Sequence, residues 1–89
     1  MKSRYLEVTF RNGKPVAAYL YLPRRPGDRS TRTERPEPGL VVDFTADGRP
    51  MGIEITAPTR VSLEGVNRVL ARLGQDPIAH GELAPLAAA

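Results

Sequence analysis

Apolar and polar residues alternate with a period of two through much of the first 57 residues, and the spacing lengthens to that of a helix only after them. In Tyr5–Phe10, Leu6, Val8 and Phe10 fall on one side and Tyr5, Glu7 and Thr9 on the other, which predicts a half-buried strand. The alternation is strongest in Gly39–Ala57, which reads G-L-V-V-D-F-T-A-D-G-R-P-M-G-I-E-I-T-A. An Asp-Gly pair between two such runs predicts a β-hairpin turning at Asp47-Gly48, since a type I′ turn needs positive φ at both central residues. With those two residues as the loop, Phe44 lies opposite Met51, Val42 opposite Ile53 and Leu40 opposite Ile55. All six then point to one face, the core face.

Asn12-Gly13 offers a second hairpin turn, and its register has two solutions. A strict two-residue loop puts Ala17, Tyr19 and Tyr21 on the face of Leu6, Val8 and Phe10. A loop one residue longer or shorter puts Ala18, Leu20 and Leu22 there, and this is favoured because tyrosine hydroxyls need a partner or water. Val16–Leu22 is apolar on both faces, so the outer one calls for a cover. Tyr19, Tyr21 and Val41 on that face form a candidate dimer interface; a pair of half-exposed tyrosines beside a valine is the plainer reading.

Pro23–Pro38 is rich in arginine and proline, with a turn at Pro26-Gly27 and a polar edge strand near Ser30–Glu34. After the central hairpin, Pro58 ends the sheet and Ser62 fits an N-cap. Leu63, Val66, Val69, Leu70 and Leu73 follow at helical spacing, and Gly74 fits a C-terminal stop. Asp76-Pro77 starts a further short helix or an extended strap carrying Ile78, Leu83 and Leu86, and the last few residues are expected to fray. The predicted fold is α+β: a small antiparallel β-meander of four to five strands with one C-terminal amphipathic helix packed on one face. It forms a single domain over 1–89, with the sheet in 1–57, the Arg/Pro-rich loop at 23–38, the helix at 62–74 and a tail at 75–89.

With 89 residues the chain buries only about 60–65% of the surface its unfolded form exposes, so its core is thin and dimerisation is a natural remedy. It contains no cysteine, which excludes disulfides and thiolate chemistry and fits a reducing cytoplasm. No apolar run approaches the ~20 residues that span a bilayer. The start leads into alternation where a signal peptide has a continuous apolar segment, so a cytoplasmic location and no membrane partner are expected. Thirteen Lys and Arg against ten Asp and Glu give a net charge of +3, too small to argue for nucleic acid without a clustered basic face.

Arg24, Arg25, Arg29, Arg32 and Arg35 are the candidate anion-binding residues, and a nucleic-acid-associated regulatory protein is the alternative reading. No aromatic residue is interleaved for base stacking, and Asp28, Glu34 and Glu37 dilute the charge, so a solvated loop and edge is the primary reading. His80, the one histidine, lies beside a glycine and is not assigned a catalytic or ligand role. The hairpin register makes Asp43 and Glu54 diagonal neighbours on the outer face, with Glu7 close if strand one is near. Such a pair repels, raises a pKa, binds a cation or serves as an acid/base pair; on an open sheet face the plainer reading is a pair of solvated groups. No phosphate loop, zinc spacing or nucleophile elbow is present. No catalytic, cofactor-binding or metal-binding residue is therefore assigned. The expected function is a non-enzymatic interaction module, homodimeric and with a protein partner.

Y-L-Y-L at Tyr19–Leu22 and, above all, G-L-V-V-D-F-T-A-D-G-R-P-M-G-I-E-I at Gly39–Ile55 resemble the YuzE-like family, small prokaryotic proteins of unknown function. Asp43, Asp47, Gly48, Gly52 and Glu54 match its motif. The resemblance implies a compact β-rich domain without known enzyme activity, and an antitoxin-like partner role. The chain departs from that pattern at Arg11-Asn12-Gly13, where the family has an acidic, proline-containing turn, and in its longer portion after Ala57.

Overall fold

The computed structural model describes residues 4–87. Five strands form one antiparallel sheet: β1 (Tyr5–Arg11), β2 (Lys14–Tyr21), β3 (Arg32–Glu37), β4 (Leu40–Phe44) and β5 (Pro50–Ile55). Their order across the sheet is β1-β2-β5-β4-β3, which corrects the expected meander. Strands β3, β4 and β5 do run as a meander. The β1–β2 hairpin, however, docks onto β5, and residues 22–31 must carry the chain from β2 to the far edge.

That connection follows the end of the sheet and is fastened there. The Leu22 amide donates to Met51 O at 3.0 Å and the Thr31 amide to Phe44 O at 2.9 Å. Arg49 forks onto Asp28, with Nη1 to Oδ2 at 2.9 Å and Nη2 to Oδ1 at 2.8 Å. Much of the polar Arg/Pro segment is thus a strap against the β4–β5 turn.

Both hairpins realise their registers with an extra residue. At Asn12-Gly13 both φ angles are positive, 52° and 76°, and Arg11 pairs with Lys14, so the turn has the two-residue loop. A bulge then skips Val16, after which Val8 pairs with Ala18 and Leu6 with Leu20. The favoured aliphatic register arises from a bulge on β2 with no change in loop length. Phe10, placed on the core face by its alternation, lies at an uncovered corner and is 49% exposed.

The second turn differs from the type I′ expectation. Of its residues only Gly48 has positive φ (86°), and its amide donates back to Thr45 O at 3.0 Å. The turn is therefore centred on Ala46 and Asp47 and followed by a left-handed glycine, the three-residue hairpin loop. Leu40 opposite Ile55 and Val42 opposite Ile53 stand as predicted. Phe44 pairs with Pro50 rather than Met51, because Met51 is the extra residue of a second bulge. Met51 is buried but lies outside the main core cluster.

The core cluster joins Ala18, Leu20 and Leu22 of the β2 region, Leu40, Val42 and Phe44 of β4, and Ile53 and Ile55 of β5 to Val66, Val69 and Leu70. The last three belong to α1 (Leu63–Arg72), ten residues long. Ser62 caps its start, accepting from the Gly65 amide at 3.0 Å. Its end is closed by Gly74 N to Ala71 O and Gln75 N to Leu70 O, a Schellman pairing.

This helix is not the C-terminal element of the fold, and the segment after it takes both forms expected from Asp76-Pro77, a strap and a short helix. An extended strap carries Ile78 into the core, held by Asn67 through two bonds: the Ile78 amide to Oδ1 at 2.7 Å and Nδ2 to Ile78 O at 3.2 Å. A 3-10 turn (His80–Leu83) and the single helical turn α2 (Ala84–Ala87) follow and bury Leu86. The expected fraying at the chain end falls on residues 88 and 89, outside the described residues.

Candidate functional site

Alternation along each strand and pairing between strands set the residues of the helix-free face in rows. One row runs Tyr5, Tyr21, Gly52, Asp43, Thr33, and the next Glu7, Tyr19, Glu54, Val41. Asp43 and Glu54 are diagonal neighbours, as the hairpin pattern predicts, and Glu7 lies in Glu54's row with Tyr19 between them.

The tyrosines lean across the rows. Tyr19 Oη donates to Asp43 Oδ2 at 2.7 Å, and its ring reaches there over Gly52. A Cβ built on Gly52 would collide with the Tyr19 ring and hydroxyl, so the side-chain-free position is what lets the ring pass. Burial, then donation to the Asp43 carboxylate, push the Tyr19 phenol above its ordinary pKa, while the Arg24 guanidinium pulls weakly the other way. Tyr21 Oη donates to Glu7 Oε1 at 3.0 Å, and that bond raises the Tyr21 phenol as well.

The aromatic rings form a continuous group. Tyr5 stacks on Tyr21 with centroids 4.3 Å apart and planes 10° from parallel, and Tyr19 meets Tyr21 edge-on at 4.7 Å. Arg24 closes the end of this group: its guanidinium carbon lies 5.1 Å from the Tyr21 centroid, and Nη2 donates to Met51 O at 2.7 Å. Its Nε is buried without a partner among the described residues. Tyr5, Tyr21, Leu22 and Arg24 form one wall of a shallow groove completed by Arg25–Asp28.

Of the predicted interface trio, Tyr19 and Tyr21 are half-buried and bonded to carboxylates, and Val41 is only 7% exposed. Val41 therefore offers little contact surface. The open apolar side chains are instead Tyr5, Phe10 and Val16, each more than 40% exposed. Sequence reasoning missed Phe10 because strand periodicity assigns a face but does not show where the covering helix ends, and Val16 because its bulge is set by the partner strand. The internal glycine of β5 was the available signal for the crossing tyrosine.

The five arginines have separate surroundings. Arg24 packs on Tyr21, and Arg32 contacts Glu34 and lies 4.3 Å over the Phe44 ring. Arg25 gives its backbone amide to Asp28 and is exposed, as are Arg29 and Arg35. His80 is exposed at the head of its turn. Among the described residues no group of three or more His, Cys, Asp or Glu is placed to hold a metal ion. No helix there is long and apolar enough to cross a membrane.

Residues 17–57 match the model of a family described as a protein of unknown function, DUF2283. The matched stretch takes in β2 from Ala17 through β5 and leaves out β1, α1 and the C-terminal strap. It agrees with an uncharacterised small-domain family and does not itself carry the narrower YuzE-like name. No curated protein and no solved structure matches the chain.

Proposed function

We propose that the chain is a non-enzymatic interaction module that works as a homodimer and presents the helix-free face of its sheet to a protein partner. The observation that carries this reading is the composition of that face. It holds three contiguous tyrosines and three carboxylates, of which Tyr5, Glu7 and Glu54 are exposed. Aromatic rings with a polar tip suit a surface that is wet when free and buried in a complex.

Self-association is supported by the small core of an 89-residue chain and by the open rings of Tyr5 and Phe10. An antitoxin-like role, which the YuzE-like resemblance implies, is one form of such a partner function. The Arg-rich loop as a nucleic-acid site is the second reading, since Arg24 and Arg32 are engaged by Tyr21, Met51, Phe44 and Glu34 of the same chain, which leaves Arg25, Arg29 and Arg35 to meet an anionic partner.

Static light scattering on the full chain at micromolar concentration tests the homodimer. Twice the chain mass is expected, and a monomer across that range removes the reading.

A further inference from the structure

The two edges of the sheet are guarded unequally. Strand β3 carries Arg32, Glu34, Arg35 and Glu37, has Pro36 within it and Pro38 just after it, and breaks its ladder beyond Glu34. Charges, prolines and irregularity of this kind keep an edge from pairing with another chain. Strand β1, Tyr5–Arg11, has seven residues with no proline and no glycine. The extra residue of its hairpin, Val16, is on β2, so β1 itself stays regular. With a two-residue turn closed by Arg11 and Lys14, the alternate residues Leu6, Val8 and Phe10 direct their main-chain groups away from β2, toward the open edge.

We infer that two copies of the chain join through β1, pairing antiparallel with Thr9 on the twofold axis, so that two five-stranded sheets become one of ten strands. This rests on the homodimer proposed above and adds where the copies meet. A twofold axis normal to the sheet keeps each side chain on its own face, which leaves three central registers. With Glu7 on the axis, two carboxylates face each other, which is repulsive. With Val8 on the axis, Glu7 faces Thr9 of the partner subunit and gains no opposite charge.

With Thr9 on the axis, Glu7 faces Arg11 of the partner subunit twice over, on the helix-free side. On the other side Phe10 covers Val8 of the partner subunit, which gives the exposed ring an apolar neighbour. The charge pattern E-V-T-F-R is thus complementary to itself in one register only. The joint also brings the Tyr5, Glu7 and Thr9 rows of both copies together and makes the helix-free face continuous across the dimer. Since β1 lies outside residues 17–57, this joint belongs to the present chain rather than to the matched family stretch.

The absence of cysteine makes the test clean. Thr9 opposite Thr9 is a non-hydrogen-bonded pair with α-carbons about 4.5 Å apart, within disulfide range. Thr9→Cys is expected to convert to a covalent dimer under mild oxidation, whereas Glu54→Cys, on the helix-free face away from the joint, is not. Glu7→Arg and Arg11→Glu are each expected to weaken the dimer about tenfold by light scattering. The double exchange Glu7→Arg/Arg11→Glu should restore it, with circular dichroism confirming the fold of every variant. A wild-type monomer overturns the homodimer reading along with this one. A wild-type dimer in which Thr9→Cys stays uncrosslinked, or in which charge exchange restores nothing, overturns the β1 joint alone.

Discussion

On its helix side the sheet presents the rows Leu6, Leu20, Ile53, Val42 and Val8, Ala18, Ile55, Leu40. On the opposite side the interleaved rows are Tyr5, Tyr21, Gly52, Asp43 and Glu7, Tyr19, Glu54, Val41. The same strands therefore hold themselves together in two ways. The aliphatic rows are stabilised by removal from water, which has no preferred direction, and Ile53 and Ile55 are fully buried against α1 and the strap. The tyrosine and carboxylate rows depend on direction: the Tyr19 and Tyr21 phenols each have one carboxylate acceptor, and one glycine leaves room for one ring. The first face tolerates changes that keep its volume, and the second tolerates changes that keep its bonds.

Truncation on the helix side should have the largest effect. Ile53→Ala removes a fully buried side chain from the middle of the aliphatic row and is expected to cost about 2–5 kcal/mol in urea unfolding. A cost under about 1 kcal/mol would mean that this face is not the close-packed one. On the opposite face Gly52→Ala drives the Tyr19 ring aside and breaks its bond to Asp43, an expected loss of roughly 1–2 kcal/mol. If the bond is what Gly52 protects, Tyr19→Phe should cost nothing further in the Gly52→Ala background, while costing a similar amount alone. Additive losses would show that the two residues act separately.

The smallest expected effect lies at the end of the sheet, where residues 22–31 cross. The Arg49 fork, with the Arg25 amide beside it, holds the Asp28 carboxyl at about 2, below its ordinary 3.8. A carboxyl with a lowered folded-state pKa stabilises the fold above its unfolded pKa, and the contribution fades as the pH falls from about 4 to about 2. A shallow loss of stability is therefore expected in that window, and Asp28→Asn should flatten it. An unchanged acid profile in Asp28→Asn would show that the ion pair contributes nothing measurable.

The aliphatic face was legible in the sequence almost residue by residue, because alternation in Leu40–Phe44 and Met51–Ile55 reports burial directly. The helix was legible through Ser62 and Gly74, whose side-chain and backbone roles at helix ends are local. The strand order was not: nothing in residues 22–31 states which edge they lead to, since that depends on Asp28 meeting Arg49 twenty-one residues away. The bulges at Val16 and Met51 also escaped, because each is settled by the partner strand. On the candidate site, the positions of Asp43 and Glu54 could be read from register. The crossing of Tyr19 over Gly52 was only hinted at by the glycine.

The route of residues 22–31 has a further consequence, for chain entropy. Each hairpin closes over a few residues, whereas the β2–β5 seam joins residues as distant in sequence as Ala18 and Ile55. Closing so long a loop restricts the chain more than closing a turn does, and no local signal offsets it. The bonds from Leu22 to Met51 and from Asp28 to Arg49 lie beside that seam. They tie the intervening chain to the β4–β5 turn, and so subdivide one long closure into shorter ones.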